Sequence, residues 1–321
     1  MSKENEIIKF SSKLSYLYIF FGVIGFVMIM LPMVFYNTTK IDSIGTIGDA
    51  VGGILNPVIA IGAALLTFLA FYIQYQANRQ VQEQFKIQQF ESQLYQMIEL
   101  YRKNADEMKI AKIEGRKCFA VMLEEFKFIY LEAEIYLSEY SLNEKDLTSI
   151  TYCIFYYGVG NNIKTILEEN YSSLNIDFGP LIYRLEMIKS EFDYQNHVTL
   201  INDYGESASY KFKYKPFKGH LSRLGHYYRH LFQSVKYIIT QDLEYDEKYK
   251  YLKLLRSQIS DYEFIFLFYN SLFEKGNEWL VLDIFTEYRF IKNIPLELLN
   301  FGLNPKELFE ETNSRNEKIF E

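Results

Sequence analysis

Two long stretches without a single charge limit what this chain can fold into. None occurs from Leu14 to Thr39, and none from Ala50 to Asn78. A helix needs about 20 predominantly apolar residues to cross the hydrocarbon of a bilayer. Each stretch exceeds that length, so the sequence predicts two membrane spans, 17–36 and 51–75. The apolar run is too long for a signal-peptide core, and no small-residue cleavage site follows Tyr36. Lys3, Lys9 and Lys13 precede the first stretch, Lys40 alone lies between the two, and Arg79 and Lys86 follow the second. Positive charge collects on the cytoplasmic side. The expectation is a multi-pass protein of a bacterial inner membrane with both termini cytoplasmic.

The domain expectation follows from this pattern. Residues 1–16 form a cytosolic leader, 17–75 a transmembrane hairpin, 76–300 a helical cytosolic domain and 301–321 a loose tail. No ionisable residue lies mid-span, so no proton relay or ion filter is expected. Gly48, Gly52, Gly53 and Gly62 permit close helix approach, and Pro57 is tolerated where a neighbouring helix packs.

Beyond Arg79 the fold class expected is all-α. Arg79–Lys112 lacks Gly and Pro, and Ile87, Phe90, Leu94, Met97 and Tyr101 recur at helical spacing. That seam serves either a stalk joining protomers or the first helix of the core. Further helices are predicted over Cys118–Tyr136, Thr148–Tyr157, Asn161–Glu169, Leu181–Phe192, His220–Gln241, Glu247–Leu272 and Glu278–Phe290. A loop or short hairpin is expected at Asp203–Phe217, with short turns near Pro295 and Pro305. The chain holds 28 Tyr and 27 Phe against one Trp, so its core should be built largely from aromatic rings. Cys118 and Cys153 show neither a redox nor a zinc spacing and read as reduced core residues.

Net charge is −7, which argues against a surface that coats nucleic acid. Yet no Asp or Glu occurs from Ser207 to Gln241. Lys218, Arg223, His226, Arg229 and His230 in that stretch are the candidate anion-binding set. Arg223, His226 and His230 fall at i, i+3 and i+7 and share one helical face. His226 and His230 have a metal-ligand spacing but no evident third ligand, so no metal and no cofactor is expected. Arg223 and His230 also fit the loose Arg/His pattern of HEPN ribonucleases, and Arg223, Arg229 and His230 are the catalytic candidates should the protein be an enzyme. Internal carboxylates compete for the arginines: a buried Arg is costly unless matched, and Glu263 or Asp261 is a partner for Arg229.

Several motifs stand in one order along the chain. They are Gly48-Asp49 and Gly52-Gly53, Gln89-Phe90-Glu91, Gly115-Arg116 and Phe155-Tyr156-Tyr157-Gly158. Then come Gly219-His220-Leu221-Ser222-Arg223-Leu224-Gly225-His226-Tyr227-Tyr228-Arg229-His230 and, last, Arg256-Ser257-Gln258-Ile259-Ser260 with Phe268-Tyr269-Asn270. Together, over about Gly45 to Asn293, the chain resembles the AbiC-like phage abortive infection proteins. The resemblance implies defence against phage and no particular mechanism. The expectation it leaves is a non-enzymatic, membrane-anchored protein. Its helical domain would sense a phage product, protein or nucleic acid, and its hairpin would perturb the bilayer. Homo-oligomers through the hairpin and the 79–112 helix are expected. The alternatives are a membrane-tethered ribonuclease and a passive block of phage DNA entry.

Overall fold

The structure is a computed structural model that describes residues 2–35, 41–160, 162–195, 198–201 and 207–320. The expected connection between the spans falls partly on 36–40, and the start of the expected loop at 203–217 falls on 202–206. Both lie outside the described residues. The chain is 73% helical and 2% strand, as expected for an all-α class. It divides into two compact units, residues 1–90 and 91–321.

The first unit contains α1 (Ser2–Phe35) and most of α2 (Ile41–Asp106). Helix α2 starts earlier than expected, because Ser43–Asp49 is helical rather than part of a connection. The glycines there only weaken the helix. α2 is long and apolar enough to cross a membrane; α1 contributes a shorter apolar segment, Ser15–Met28. Almost none of the apolar window of α2 is buried, unlike the core helix of a soluble protein. Tyr18 packs directly on Gly62, where any Cβ would overlap its ring, and Leu55 reaches Gly25. Both contacts obey one antiparallel register; of the glycines expected to allow close approach, only Gly62 meets α1 among the described residues, and Gly48, Gly52 and Gly53 do not.

The second unit opens with the end of α2. Its buried seam is Leu94, Ile98, Tyr101 and Ala105, spaced 4, 3 and 4. The helix ends at Asp106 rather than reaching Lys112. There β1 (Lys109–Ile110) and β2 (Ile113–Glu114) form a two-residue antiparallel ladder that places Ala111 at φ +52°. Then follow α3 (Lys117–Tyr136), α4 (Glu144–Tyr157), α5 (Ile163–Asn170) and α6 (Gly179–Gln195). α4 starts one turn early because Asn143 caps it, its side chain accepting from the Asp146 N–H at 2.8 Å. β3 (Val198–Ile201) and β4 (Ser207–Tyr210) pair antiparallel, supplying the short hairpin. The chain continues through α7 (Leu221–Ile239), α8 (Tyr245–Arg256) and α9 (Asp261–Leu272), then α10 (Glu278–Val281), α11 (Ile284–Glu287) and α12 (Pro305–Leu308).

Three expectations are corrected here. Glu247–Leu272 is two helices, because Ser260 is extended and its N–H donates to Glu263 Oε2 at 2.6 Å, starting a new helix at Asp261. Glu278–Phe290 is likewise interrupted: Asp283 adopts φ +50° and separates α10 from α11. The tail after Glu310 is docked rather than loose. Thr312 bridges Lys318, Ile319 is 1% exposed, and the Arg315 guanidinium lies 3.8 Å from the centre of the Tyr245 ring.

α9 is the centre of this unit. Every residue from Glu263 to Leu272 is buried, as expected of a helix that is apolar all round. α3 and α4 pack on each other and on α9. Phe266 is fully buried; its ring stacks on Phe155 with centroids 5.0 Å apart and meets Phe126 edge-on at 6.0 Å. Cys118 and Cys153 are free and buried, and burial pushes the Cys153 thiol up to about 12.

Phe266→Ala in the full chain should therefore cost about 3–5 kcal/mol through lost burial and an unfilled cavity. Thermal unfolding checks this; a shift indistinguishable from wild type would mean that α9 is not central.

Candidate functional site

Two glycines with left-handed backbone set where α7 begins. Gly158 (φ +78°) ends α4, and Gly219 (φ +81°) precedes α7. A Cβ on either would collide with the other's backbone. This crossing lets the His220 N–H donate to the Tyr156 carbonyl at 2.9 Å, and the Val159 N–H to the Phe217 carbonyl at 2.8 Å. The Phe155–Gly158 and Gly219–His220 motifs are thus two halves of one junction.

The segment entering it alternates. Phe212 and Tyr214 are buried while Lys211 and Lys213 are exposed, so these lysines form the solvated edge of an extended strap. A buried carboxylate holds the strap down. Glu125 of α3 accepts from Tyr214 Oη, from the Phe217 N–H at 2.7 Å and from His220 Nε2 at 3.1 Å. Burial and the Glu125 charge raise the Tyr214 phenol well above its ordinary value, so it stays a donor.

A second buried carboxylate, Glu263, ties four helices. Its Oε1 accepts from Tyr227 Oη of α7 at 2.5 Å and from Tyr101 Oη of α2 at 3.3 Å, and these two hydroxyls also bond each other. Arg116, just before α3, lies 3.4 Å from Oε2. Glu263 is thus matched by Arg116, not by Arg229. Burial drives the phenols of both Tyr101 and Tyr227 far above their usual range.

The candidate residues of α7 separate around the helix. Lys218 is exposed in the strap. Arg223 donates through Nε to the Lys109 carbonyl at 2.8 Å and through Nη1 to the Gly219 carbonyl at 3.4 Å. His226 is exposed and stands edge-on to half-buried His230 with centroids 6.5 Å apart. Burial, then the neighbouring His226, lowers the His230 pKa, and its Nδ1 is buried without a hydrogen-bond partner. Arg229 lies about 120° around the helix from Arg223. It is exposed and lines a different feature, a cavity of about 400 Å³ with Tyr156, Gln233, Asn270, Lys275 and Trp279. Arg223, His226 and His230 line no part of that cavity. Among the described residues, no three His, Cys, Asp or Glu side chains are grouped as a metal site requires.

Sequence reasoning did not find Tyr156, Lys275 or Trp279 as neighbours of Arg229. The available signals were the single Trp of the chain and Gly276, whose Cα lies so close to Asn270 that any Cβ would overlap its carbonyl oxygen.

Residues 219–299 match the model of a family described as putative phage abortive infection protein. The match is narrower than the resemblance in the sequence, spanning the helices from α7 to α11. It supports a role in defence against phage. No curated protein and no solved structure matches the chain.

Arg229→Ala should leave stability within about 0.5 kcal/mol, as for a surface position. Arg223→Ala should cost about 1–2 kcal/mol through its two lost carbonyl contacts. Thermal unfolding of the two variants checks the order, and a larger loss at Arg229 would reverse the placement of these side chains.

Proposed function

We propose that this chain is a membrane-anchored anti-phage defence protein whose helical unit senses a phage product and whose apolar helices then perturb the inner membrane. The family match to residues 219–299 carries the defence part of this reading. The anchor is supported by the first unit, where large side chains point outward from the apolar segments. Phe68 is 71% exposed and Phe26 62%. Such surface is stable in lipid and a liability in water. The Tyr18–Gly62 contact favours a packed two-helix hairpin, and the Lys and Arg flanking it favour a cytoplasmic side for both chain ends. Exposed Val81 and Phe85, one helical turn apart, give a second copy an apolar seam to join. In this reading Lys218, Arg223, His226 and Arg229 supply the positive charge that recognises an anionic trigger, half-buried His230 beside them is dispensable, and none of the five cleaves a bond.

The test is phage plaque formation on cells expressing the chain, the His230→Ala variant, or a chimera with residues 1–78 replaced by an unrelated two-span anchor. The expected result is protection by His230→Ala and none by the chimera. Protection lost in His230→Ala and kept in the chimera would contradict the proposal and favour RNA cleavage.

A further inference from the structure

We propose that the open-sided cavity lined by α4, α7, α9 and α10 binds a nucleoside phosphate, with Arg229 and Lys275 taking the phosphate. This gives the sensing reading above a ligand class and rests on it only for biological use, since binding itself is independent of defence.

Charge is the first argument. Arg229 and Lys275 line the same cavity, and neither forms an ion pair among the described residues, in a chain of net charge −7. Lys275 rests over the Tyr157 ring, its Nζ 5.4 Å from the centroid. Among the described residues Arg229 has no hydrogen-bond partner, so its planar fork is open to two phosphate oxygens.

The second argument is a hydroxyl that opens to the cavity from a buried ring. Tyr156 is only 5% exposed and lines the cavity. Tyr227, Tyr228, Tyr214 and Tyr152 all place their hydroxyls in hydrogen bonds, but among the described residues Tyr156 Oη makes none. Gly225 leaves it clear, because a Cβ there would stand 2.7 Å from Oη. A phenol kept free beside two cations is a donor waiting for an acceptor.

Size and walls define the rest of the ligand. About 400 Å³ is far more room than one phosphate fills, and falls within the usual range for organic ligands. Trp279 is held rigid by stacking on Phe285 and Phe290, with centroids at 5.7 and 5.8 Å. With 2% of its surface exposed and two rings stacked on it, Trp279 offers the cavity a fixed aromatic edge, against which a heterocycle carrying phosphate can lie. Glu278 also lines the cavity; its carboxylate repels phosphate but accepts from an exocyclic amino group, which would orient a base away from Arg229. The family-matched segment 219–299 supplies every lining residue except Tyr156.

Trp279 is the single tryptophan, so its fluorescence reports this cavity directly. Purified full-length protein in detergent is titrated with AMP, GMP, CMP and UMP, and with adenosine and inorganic phosphate as controls. Saturable quenching by at least one nucleotide is expected, with neither control matching it. Arg229→Gln should weaken that binding about tenfold or more, the loss of a charge-assisted bidentate contact. Tyr156→Phe should weaken it several-fold, whereas Lys253→Gln, a charge removed from α8 outside the cavity, should not. The thermal midpoint of each variant is measured alongside; if Tyr156→Phe does not fold, Arg229→Gln decides alone. The proposal fails if no nucleotide saturates below about 1 mM, if Arg229→Gln titrates like wild type, or if inorganic phosphate binds as well as the nucleotides. Binding without plaque protection would spare this inference and remove the defence reading; protection without binding would do the reverse.

Discussion

A buried carboxylate, Glu263, is the constraint on which the helical unit depends. A carboxylate removed from water is costly unless each oxygen is hydrogen-bonded. Glu263 meets that demand with donors from four places in the chain: Tyr101 of α2, Arg116 ahead of α3, Tyr227 of α7 and the Ser260 N–H ahead of α9. Each donor fixes the position of its own element. The carboxylate also starts α9 at Asp261, and so sets which residues of that helix face Phe126 and Phe155. Glu125 does the same work on the other side of α3, holding the strap that delivers the chain to Gly219 and α7.

How much of this was legible in the sequence depended on whether the signal was local. The uncharged stretches, the apolar face of α3 and the end of α4 at Gly158 are each written in adjacent residues, and the helices appear there. The break between α8 and α9 was also written locally, as Ser260 followed three residues later by Glu263. It was hidden by the strong apolar period on both sides, which reads as one helix. The break at Asp283 was not legible, because an aspartate at positive φ is chosen by packing around α10 and α11 rather than by its neighbours. The tail looked loose because it is charged. Its order comes from Tyr245 and Ile319, contacts that only the folded chain creates.

The candidate site was legible in part for the same reason. The absence of acidic residues from Ser207 to Gln241 marks a basic stretch correctly, but helical periodicity alone groups Arg223 with His230. The fold sends these side chains elsewhere than Arg229: Arg223 braces the β1 carbonyl of Lys109, while Arg229 joins Tyr156, Lys275 and Trp279 from three other elements. That grouping depends on the Gly158–Gly219 crossing, a long-range contact with no periodic signature. The chain thus combines a long apolar helix with a helical unit that presents a polar, cation-lined cavity. The match of residues 219–299 to a phage-defence family gives that arrangement a biological setting.

The claim that Glu263 is the common junction is tested most directly by amide hydrogen exchange on the full-length protein and its Glu263→Gln variant. The substitution keeps the shape but replaces an accepting oxygen by an NH₂, where Arg116 and the Ser260 N–H can only donate. The account predicts that protection falls together in residues 94–106, at the start of α3, in α7 and in α9. Loss confined to 258–264, with α2 and α7 as protected as in the wild type, would contradict it.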